Sequence, residues 1–319
     1  MVAPAAPNTV EAQGATAAVL AATVAFAFKG VVAKLAYATG MGVPAFLVLR
    51  FAVAVPLFWI GARMLVKGSL RLTRRQWVLC SMAGCTFFLA SYTDLTAISM
   101  IDAGTSRLVL FTFPVFVIFL NAALERRAPK LRDLLTFAVT YMGVAMAALP
   151  HGVAALTPTQ IHGMCWAIAS AVTYAIYLTA SQRIMKDLGS AKFTAASNTV
   201  TLLAMLGLTA ITPGFDALAF PTEGIGWGVV NAIACTVIPF FLLFEGIRRC
   251  GAVRASLLTL CGPVVTAAGA WAILGETLTP LQIAGFAITI VSVASLSLPR
   301  ELIMRAGGAV LAKCRRVPS

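Results

Sequence analysis

Three charged side chains lie within long apolar stretches of the sequence, where a charge is unexpected and requires an explanation. They are Lys29, Asp94 and Arg107. If these stretches cross a bilayer, a charge near its centre costs at least about 2.5–3.5 kcal/mol, so each charge should have a partner or a function. Lys29 is either a contact for a carboxylate or other anion, or a cation whose long stem reaches the headgroups. Asp94 and Arg107 flank a short connection and form either a structural ion pair or a contact for a charged solute.

A face of hydroxyl and aromatic side chains is predicted on the helix near residues 160–182. Its spacing of three and four residues places the members on one side of a helix. Hydroxyls gain nothing from facing lipid, so this face either lines a wet cavity or forms hydrogen bonds to a neighbouring helix. We favour the cavity, since the first helix offers a small facing surface, with alanine at positions 17, 21, 25 and 33. The candidate residues are Trp166, Ser170, Tyr174 and Tyr177.

Further candidates are scattered over other predicted helices. Tyr92 and Trp227 add rings, while Asn231 in mid-membrane needs a partner, either a solute or another helix. Pro114 and Pro263 each free a backbone carbonyl and predict helix kinks at matching places in the two halves of the chain, although proline is also tolerated in membrane helices. Glu245 is either a proton or solute site, or a residue that marks the inner end of its helix.

The composition sets the class of protein. Of 319 residues, 60% are hydrophobic and 11% charged, with a mean hydropathy of +0.92. Soluble domains are about 45–50% apolar and about 25% charged, so a soluble enzyme, a disordered chain and a disulfide-stapled protein are excluded. The seven cysteines form no CxxC pair, and no catalytic or nucleotide-binding motif occurs. We therefore expect no enzyme activity, no metal, no cofactor and no nucleic-acid partner.

The apolar stretches predict an all-α integral membrane protein. A helix needs roughly 20 apolar residues to span the hydrocarbon core. Glycine and proline divide the longer stretches, notably at residues 40–44 and 149–152. The ten predicted transmembrane helices lie near residues 14–36, 44–62, 76–97, 104–124, 132–149, 160–182, 193–212, 224–246, 253–274 and 281–298.

Basic residues cluster in alternate connections, which predicts the orientation. Connections near 63–75, 126–132, 183–192 and 248–254 and the tail at 300–319 are basic, whereas the fifth, seventh and ninth connections hold no Lys or Arg. Cytoplasmic loops carry the excess of Lys and Arg, so both termini are predicted to be cytoplasmic. Lys34 and Arg50 are expected near the outer face, where their stems reach the headgroups.

The chain repeats itself at an offset of 149 residues. Gly14 matches Gly163, Pro114 matches Pro263, and the pair Leu149-Pro150 matches Leu298-Pro299. Basic connections of one half map onto connections of the other half that are nearly free of basic residues. With five spans in each half, the halves must insert in opposite senses, as in the inverted repeats of secondary transporters. We predict tails at 1–13 and 300–319 and two five-helix repeats at 14–149 and 150–299.

The sequence resembles the drug/metabolite transporter superfamily in its ten-helix EamA-type form. The resemblance is carried by residues 97–116 (AISMIDAGTSRLVLFTFPVF), 246–265 (GIRRCGAVRASLLTLCGPVV) and 274–288 (LGETLTPLQIAGFAI). The first half departs from the acidic turn of the second, with LERRAPKLRD at 124–133. The resemblance implies two five-helix bundles around a central cavity, lined mainly by helices one, three, four, six, eight and nine, and alternating access by rocking of the halves.

These observations predict a secondary transporter of the cytoplasmic (inner) membrane. A small organic metabolite is the expected solute, and export the expected direction. Rings together with both signs of charge favour a zwitterion such as an amino acid. Carriers of nucleobases, vitamins or carboxylates, a channel or scaffold without a coupled cycle, and an intramembrane enzyme using Asp94 or Glu245 are the alternatives. The expected partners are the solute and the lipid bilayer, and one chain suffices for a pathway.

Overall fold

The architecture comes from a computed structural model, which describes residues 9–124, 126, 128, 131–148, 157–211, 218–243 and 262–297. Glu245 and the predicted helix start near 253 lie outside these residues. The described residues outside turns and connections are helical throughout. The helices of the first half are α1 (Thr9–Ala27), α2 (Lys29–Ala38), α3 (Val43–Leu65), α4 (Arg74–Met100), α5 (Ala103–Leu110), α6 (Phe113–Leu124) and α7 (Leu131–Ala148).

The described helices of the second half follow in the same order. A π-helical turn, Ile233–Val237, comes directly after α10, and the helix then continues to Leu243. The helices of this half are α8 (Pro158–Leu188), α9 (Ser190–Ile211), α10 (Thr222–Ala232), α11 (Gly262–Leu274) and α12 (Pro280–Ser297).

A Thr-x-x-Gln sequence starts α4, α8 and α12. At α4 the Thr73 hydroxyl accepts a hydrogen bond from the backbone of Gln76, and the Gln76 side chain accepts one from the backbone of Thr73. Thr157 with Gln160 and Thr279 with Gln282 make the same reciprocal bonds. Because the first N–H groups of a helix have no partner inside it, this box fixes where each helix begins.

Among the described residues, seven helical segments are long and apolar enough to span a membrane. They are Thr16–Ala38, Val43–Leu65, Arg74–Met100, Ala103–Leu124, Pro158–Leu188, Ser190–Ile211 and Thr222–Leu243. Segments Val265–Leu274 and Pro280–Ser292 are apolar but shorter. With α7, these two fall on the other three predicted spans. The described elements are thus all helical, seven of their segments are long and apolar enough to span a membrane, and the count of ten remains a prediction.

Two of the predicted spans are interrupted. Phe28 separates α1 from α2 within the first span, although the backbone N–H of Val32 still bonds to the carbonyl of Phe28 at 2.9 Å. Phe111 and Thr112 separate α5 from α6 within the fourth span. The α8 helix, which is equivalent to α1 and α2 at the repeat offset, runs without a break from Pro158 to Leu188.

Helices at equivalent places in the two halves face each other in opposite directions. The described parts of α7 and α12 cover equivalent residues at the offset of 149. The Thr140 hydroxyl lies 2.9 Å from that of Ser292, while a Cβ on Gly143 would lie 2.5 Å from Oγ1 of Thr289. As the chain moves forward along α7, its contacts move backward along α12. The pair is therefore antiparallel, as expected where one repeat is inverted relative to the other.

Other helix contacts between the two halves also relate equivalent helices. The helix α3 packs on its equivalent, α9. Also, α4 packs on α8, while the equivalents of these two, α10 and α2, pack on each other. The largest apolar core lies among α2, α3, α4, α8 and α9, with Phe46, Phe51 and Phe193 nearly inaccessible.

A buried cluster of charges as the candidate functional site

The carboxylate of Asp94 on α4 lies between two cations from other helices. Its Oδ2 accepts a hydrogen bond from Nζ of Lys29 at 2.7 Å, and its Oδ1 accepts one from Nη2 of Arg107. Side-chain exposure is 15% for Lys29, 4% for Asp94 and 5% for Arg107. The ammonium group of Lys29 is therefore bound to an acid in the interior, and only a small part of its side chain is exposed. The acid joins the start of α2 to α5 inside the protein.

A second chain of hydrogen bonds runs from the same lysine to Arg50 on α3. The amide of Asn231 donates to the backbone oxygen of Lys29 at 2.9 Å. The hydroxyl of Thr236 donates to the backbone oxygen of Asn231 at 2.9 Å and accepts from Nε of Arg50, also at 2.9 Å. Arg50 is 3% exposed, so the expectation that it reaches the headgroups is wrong.

Irregular backbone produces this second chain. The interruption at Phe28 is bounded by two carbonyls that accept from the second half: Thr266 donates to Ala27 at 3.0 Å and Asn231 donates to Lys29. The π-helical turn brings the Thr236 hydroxyl to a carbonyl five residues back. Such π turns often occur at functional sites. They also satisfy polar groups that would otherwise be unpaired in an apolar interior.

Several polar atoms of the cluster have no partner among the described residues. These are Nη1 of Arg50, Nε of Arg107 and Oδ1 of Asn231, all of them buried. A buried unsatisfied polar atom costs about 1–3 kcal/mol, and more when the group is charged. The site therefore holds hydrogen-bonding capacity that the described part of the chain does not use.

All four charges of the cluster lie in the first half of the chain. Lys29, Arg50, Asp94 and Arg107 correspond, at the repeat offset, to uncharged Leu178, Thr199, Leu243 and Ser256. The fold common to both halves does not require charge at these places. The packing that the two halves share therefore does not explain the charges of the cluster.

A separate ion pair joins the two halves near one end of the bundle. Nζ of Lys34 on α2 lies 2.5 Å from Oε1 of Glu276, in the connection between α11 and α12. The same oxygen accepts from the backbone N–H of Ala103, the first residue of α5, at 3.4 Å. The sequence predicts that Lys34 reaches the headgroups, whereas the structure shows it partly buried against an acid.

The predicted polar face of α8 packs mainly on α4. Ser170 donates to the backbone oxygen of Ala90 at 3.0 Å, which supports the helix-packing alternative for this residue. The ring of Tyr177 stacks on Phe87, with centroids 4.5 Å apart. Tyr174 packs edge-on against Phe113 and lies within electrostatic reach of Asp94 and Arg107. Of the two tyrosines of this face, Tyr174 is the one that interacts electrostatically with Asp94 and Arg107.

The other predicted rings, Tyr92, Trp166 and Trp227, are partly exposed. Tyr92 and Trp166 meet edge-on at 6.3 Å, and Trp166 is 37% exposed. Trp227 is also 37% exposed, one turn before the buried Asn231. Pro114 is the second residue of α6, just after the interruption at Phe111 and Thr112. Pro263 is the second residue that the structure describes in α11, and the residues just before Gly262, where the matching kink is predicted, lie outside the described part of the chain.

Sequence reasoning missed two members of the cluster. Arg50 stands out as a charge in an apolar run, but distance along the helix alone places it near the outer face. Thr236 gives no signal, because its role depends on the π-helical turn. Tyr37, within electrostatic reach of Asp94, Arg50 and Arg107, was also missed.

Comparisons with known proteins agree with this architecture. A model of the EamA-like transporter family matches residues 13–149 and again residues 161–298. A protein of Bacillus subtilis named as an uncharacterized transporter is 30% identical over 282 residues, covering 86% of this chain and 90% of its own. A second uncharacterized transporter, from Synechocystis, is 30% identical over 223 residues, or 69% of this chain and 67% of its own.

The fold is also found among solved structures. One crystal structure superposes with a TM-score of 0.63 at 17% identity, covering 92% of this chain and 99% of that one, which shows a shared fold alone. The two family matches, one in each half, confirm the resemblance found in the sequence, and with the apolar helices they make the chain a multi-pass membrane protein. The chain belongs to the EamA-like transporter family.

Proposed function

We propose that this chain is a secondary carrier that moves a small carboxylate-bearing metabolite, such as an amino acid, out of the cell. One observation carries the proposal: Asp94 is bound to both Lys29 and Arg107 in the interior of a membrane transporter. Ionisable side chains within transmembrane segments are costly and typically mark solute or ion pathways. The cluster presents both signs of charge, which a zwitterionic or anionic solute can engage.

The membrane arrangement that we propose is ten helices in two inverted repeats, with both termini in the cytoplasm and the protein in the inner membrane. The alternation of basic connections supports the orientation, and the antiparallel pairing of α7 with α12 supports the inversion. Transport proceeds by alternating access, in which the halves rock around the charge cluster. Lys34 and Glu276 join the halves at the end that faces outward in this arrangement.

Counterflow in proteoliposomes tests this function. Vesicles preloaded with one unlabelled solute from a metabolite panel should accumulate the labelled solute against its gradient, and the accumulation should saturate. A Lys29→Met variant should lose transport of carboxylate solutes, while Lys29→Arg should retain part, because the charge persists in a different geometry. The matched control is Lys67→Met, which removes an exposed cation after α3 and should transport normally, so that a general effect of lost positive charge is excluded.

The same assay separates the alternatives. Flux that does not saturate and is not stimulated by a trans solute would identify a channel. Product formation without net transport would identify an intramembrane enzyme. Counterflow of a nucleobase or vitamin, without any effect of carboxylates, would support a carrier function and contradict the proposed class of solute.

A further inference from the structure

We propose that Arg50 determines specificity and that the preferred solute carries net negative charge, as a dicarboxylate or an acidic amino acid does. This inference rests on the proposed carrier function and narrows its substrate class. It concerns the side of the cluster formed by Arg50, Thr236 and Asn231, on helices α3 and α10 and the π-helical turn after it.

The first argument is the balance of charge. Arg50, Arg107 and Lys29 are opposed by one acid among the described residues of the cluster, Asp94. A guanidinium stays protonated in proteins, so the two arginines and Asp94 alone leave a positive excess, and a charged Lys29 increases it. Buried charge that lacks a counter-charge is costly, and a bound anion would supply one.

The second argument is geometry. Nε of Arg50 is committed to Thr236, but Nη1 of the same guanidinium is buried without a partner among the described residues. Asp94, by contrast, already accepts from both Lys29 and Arg107. Arg50 therefore offers a terminal N–H donor that the described part of the chain leaves free. A planar fork of N–H donors is well matched to a carboxylate.

The third argument is position. Arg50 interacts electrostatically with Lys29, Arg107 and Asp94, and the hydrogen bonds through Thr236 and Asn231 connect it to the backbone of Lys29. One carboxylate at Arg50 and another near Lys29 and Arg107 would engage both parts of the cluster. A neutral amino acid offers only one carboxylate and carries no net charge, so it would leave the positive excess of the cluster unbalanced.

Fourth, the fold does not demand an arginine at this place. At the repeat offset Arg50 corresponds to Thr199 of α9, whose hydroxyl accepts a hydrogen bond from Nε1 of Trp59 at 2.9 Å. The equivalent position thus serves helix packing with an uncharged side chain. Packing common to the two halves cannot explain the charge on Arg50.

Inhibition and counterflow with size-matched solutes test the inference. The probes are glutamate, glutamine, succinate and leucine, supplied to wild-type protein in proteoliposomes in chloride-free buffer, because chloride could occupy an anion site. We expect glutamate and succinate to be favoured over glutamine and leucine. A charge-assisted hydrogen bond is worth roughly 1.5–3 kcal/mol. Arg50→Gln should therefore weaken the apparent affinity for glutamate and succinate by about tenfold or more, and lower the ratio of the affinity for glutamate to that for glutamine.

Controls keep the outcomes separate. Arg63→Gln removes an exposed cation from the last turn of the same helix and should leave the ratio unchanged. Arg50→Lys retains the charge and should retain part of the preference even if Arg50→Gln fails to fold. If wild-type protein transports glutamine and leucine as well as or better than glutamate and succinate, the inference of an acidic solute is overturned, whereas the proposed carrier function stands. Wild-type protein that moves no solute by counterflow would contradict the carrier itself, and the inference with it.

Discussion

The hydroxyl groups of Thr140 and Ser292 lie 2.9 Å apart, on helices that occupy equivalent places in the two halves of the chain. The contact has a counterpart, since Gly143 is the equivalent of Ser292, and Thr289, the equivalent of Thr140, packs against it. The same pair of positions is thus used twice, once from each half. A local two-fold relation therefore holds at the interface of α7 and α12.

Gly143 should tolerate no side chain at this interface. A Cβ there would lie 2.5 Å from Oγ1 of Thr289 and 2.9 Å from the backbone oxygen of Gly285. Gly143→Val should therefore lower the free energy of unfolding by about 1–3 kcal/mol through overpacking. Thermal unfolding of the detergent-purified protein measures the effect. The control is Ala145→Val on the exposed side of α7, which should have the melting temperature of the wild type. Equal melting temperatures of the two variants would show that Gly143 is not closely packed against α12.

Removing the acid of the cluster should destabilise the protein more than removing acid and cation together. Asp94→Asn leaves Lys29 and Arg107 buried without their shared counter-charge, which typically costs about 3–5 kcal/mol. Adding Lys29→Met removes one of the unpaired cations and should restore part of the stability, but not transport. Folded yield and melting temperature in detergent provide the measurement. The matched control is Asp187→Asn, which changes an exposed acid at the end of α8. If Asp94→Asn is as stable as this control, Asp94 does not stabilise the protein by pairing with Lys29 and Arg107.

Two tyrosines one turn apart on α8 should respond differently to substitution. Tyr177 is 6% exposed and stacks on Phe87, so Tyr177→Ala should lower the free energy of unfolding by about 3–5 kcal/mol. Tyr177→Phe keeps the ring and removes only a hydroxyl that interacts with Ser181 and Ser197, so it should cost about 0.5–1.5 kcal/mol and leave transport unchanged. Tyr174→Phe keeps the ring against Phe113 but removes a hydroxyl near the charges, so it should lower transport at normal stability. If Tyr177→Phe loses transport while Tyr174→Phe does not, their roles are reversed.

The Lys34–Glu276 pair should show a measurable coupling. The side chains are 24% and 15% exposed, so the pair is partly shielded from solvent. Reversing one charge, by Lys34→Glu or Glu276→Lys, should lower the melting temperature, and the double reversal should recover part of it. A double-mutant cycle on contacting residues gives about 0.5–3 kcal/mol. Additive effects of the two reversals would show that the pair does not stabilise the contact between halves.

The orientation can be tested by labelling single cysteines. Ser69, between α3 and α4, and Thr157, before α8, are both exposed. In a background without the native cysteines, a membrane-impermeant reagent added outside cells should label Thr157→Cys and spare Ser69→Cys until the membrane is opened. Labelling of both from the same side would exclude the ten-span arrangement.

Much of the helical architecture could be predicted, because it depends on local sequence. Apolar length predicts the seven segments of membrane-spanning length among the described residues. The Thr-x-x-Gln boxes at the starts of α4, α8 and α12 are an equally local signal, which a prediction of spans from apolar length does not use. The cost of buried charge likewise singles out Lys29, Asp94 and Arg107 before any contact is known. These predictions need no knowledge of which helices are neighbours.

The remainder of the site depends on neighbours and on irregular backbone. The sequence predicts the polar face of α8 opposite alanines of the first helix, yet this face packs mainly on α4, and Ser170 bonds to Ala90 there. Helical periodicity predicts a face only while the helix is regular. The π-helical turn at Ile233–Val237 inserts an extra residue and rotates the rest of its helix, so the contact between Thr236 and Arg50 could not be read from spacing.

The four charges of the cluster, Lys29, Arg50, Asp94 and Arg107, all lie in the first repeat, and this placement has a kinetic consequence. A carrier whose halves were chemically identical would present the same site to either side of the membrane after each rocking movement. In the carrier that we propose, a solute held by the first repeat would meet the uncharged equivalent positions of the second, whichever side it enters from. Its affinities measured from the two sides should therefore differ even without a gradient, and the cycle should run with unequal half-reactions.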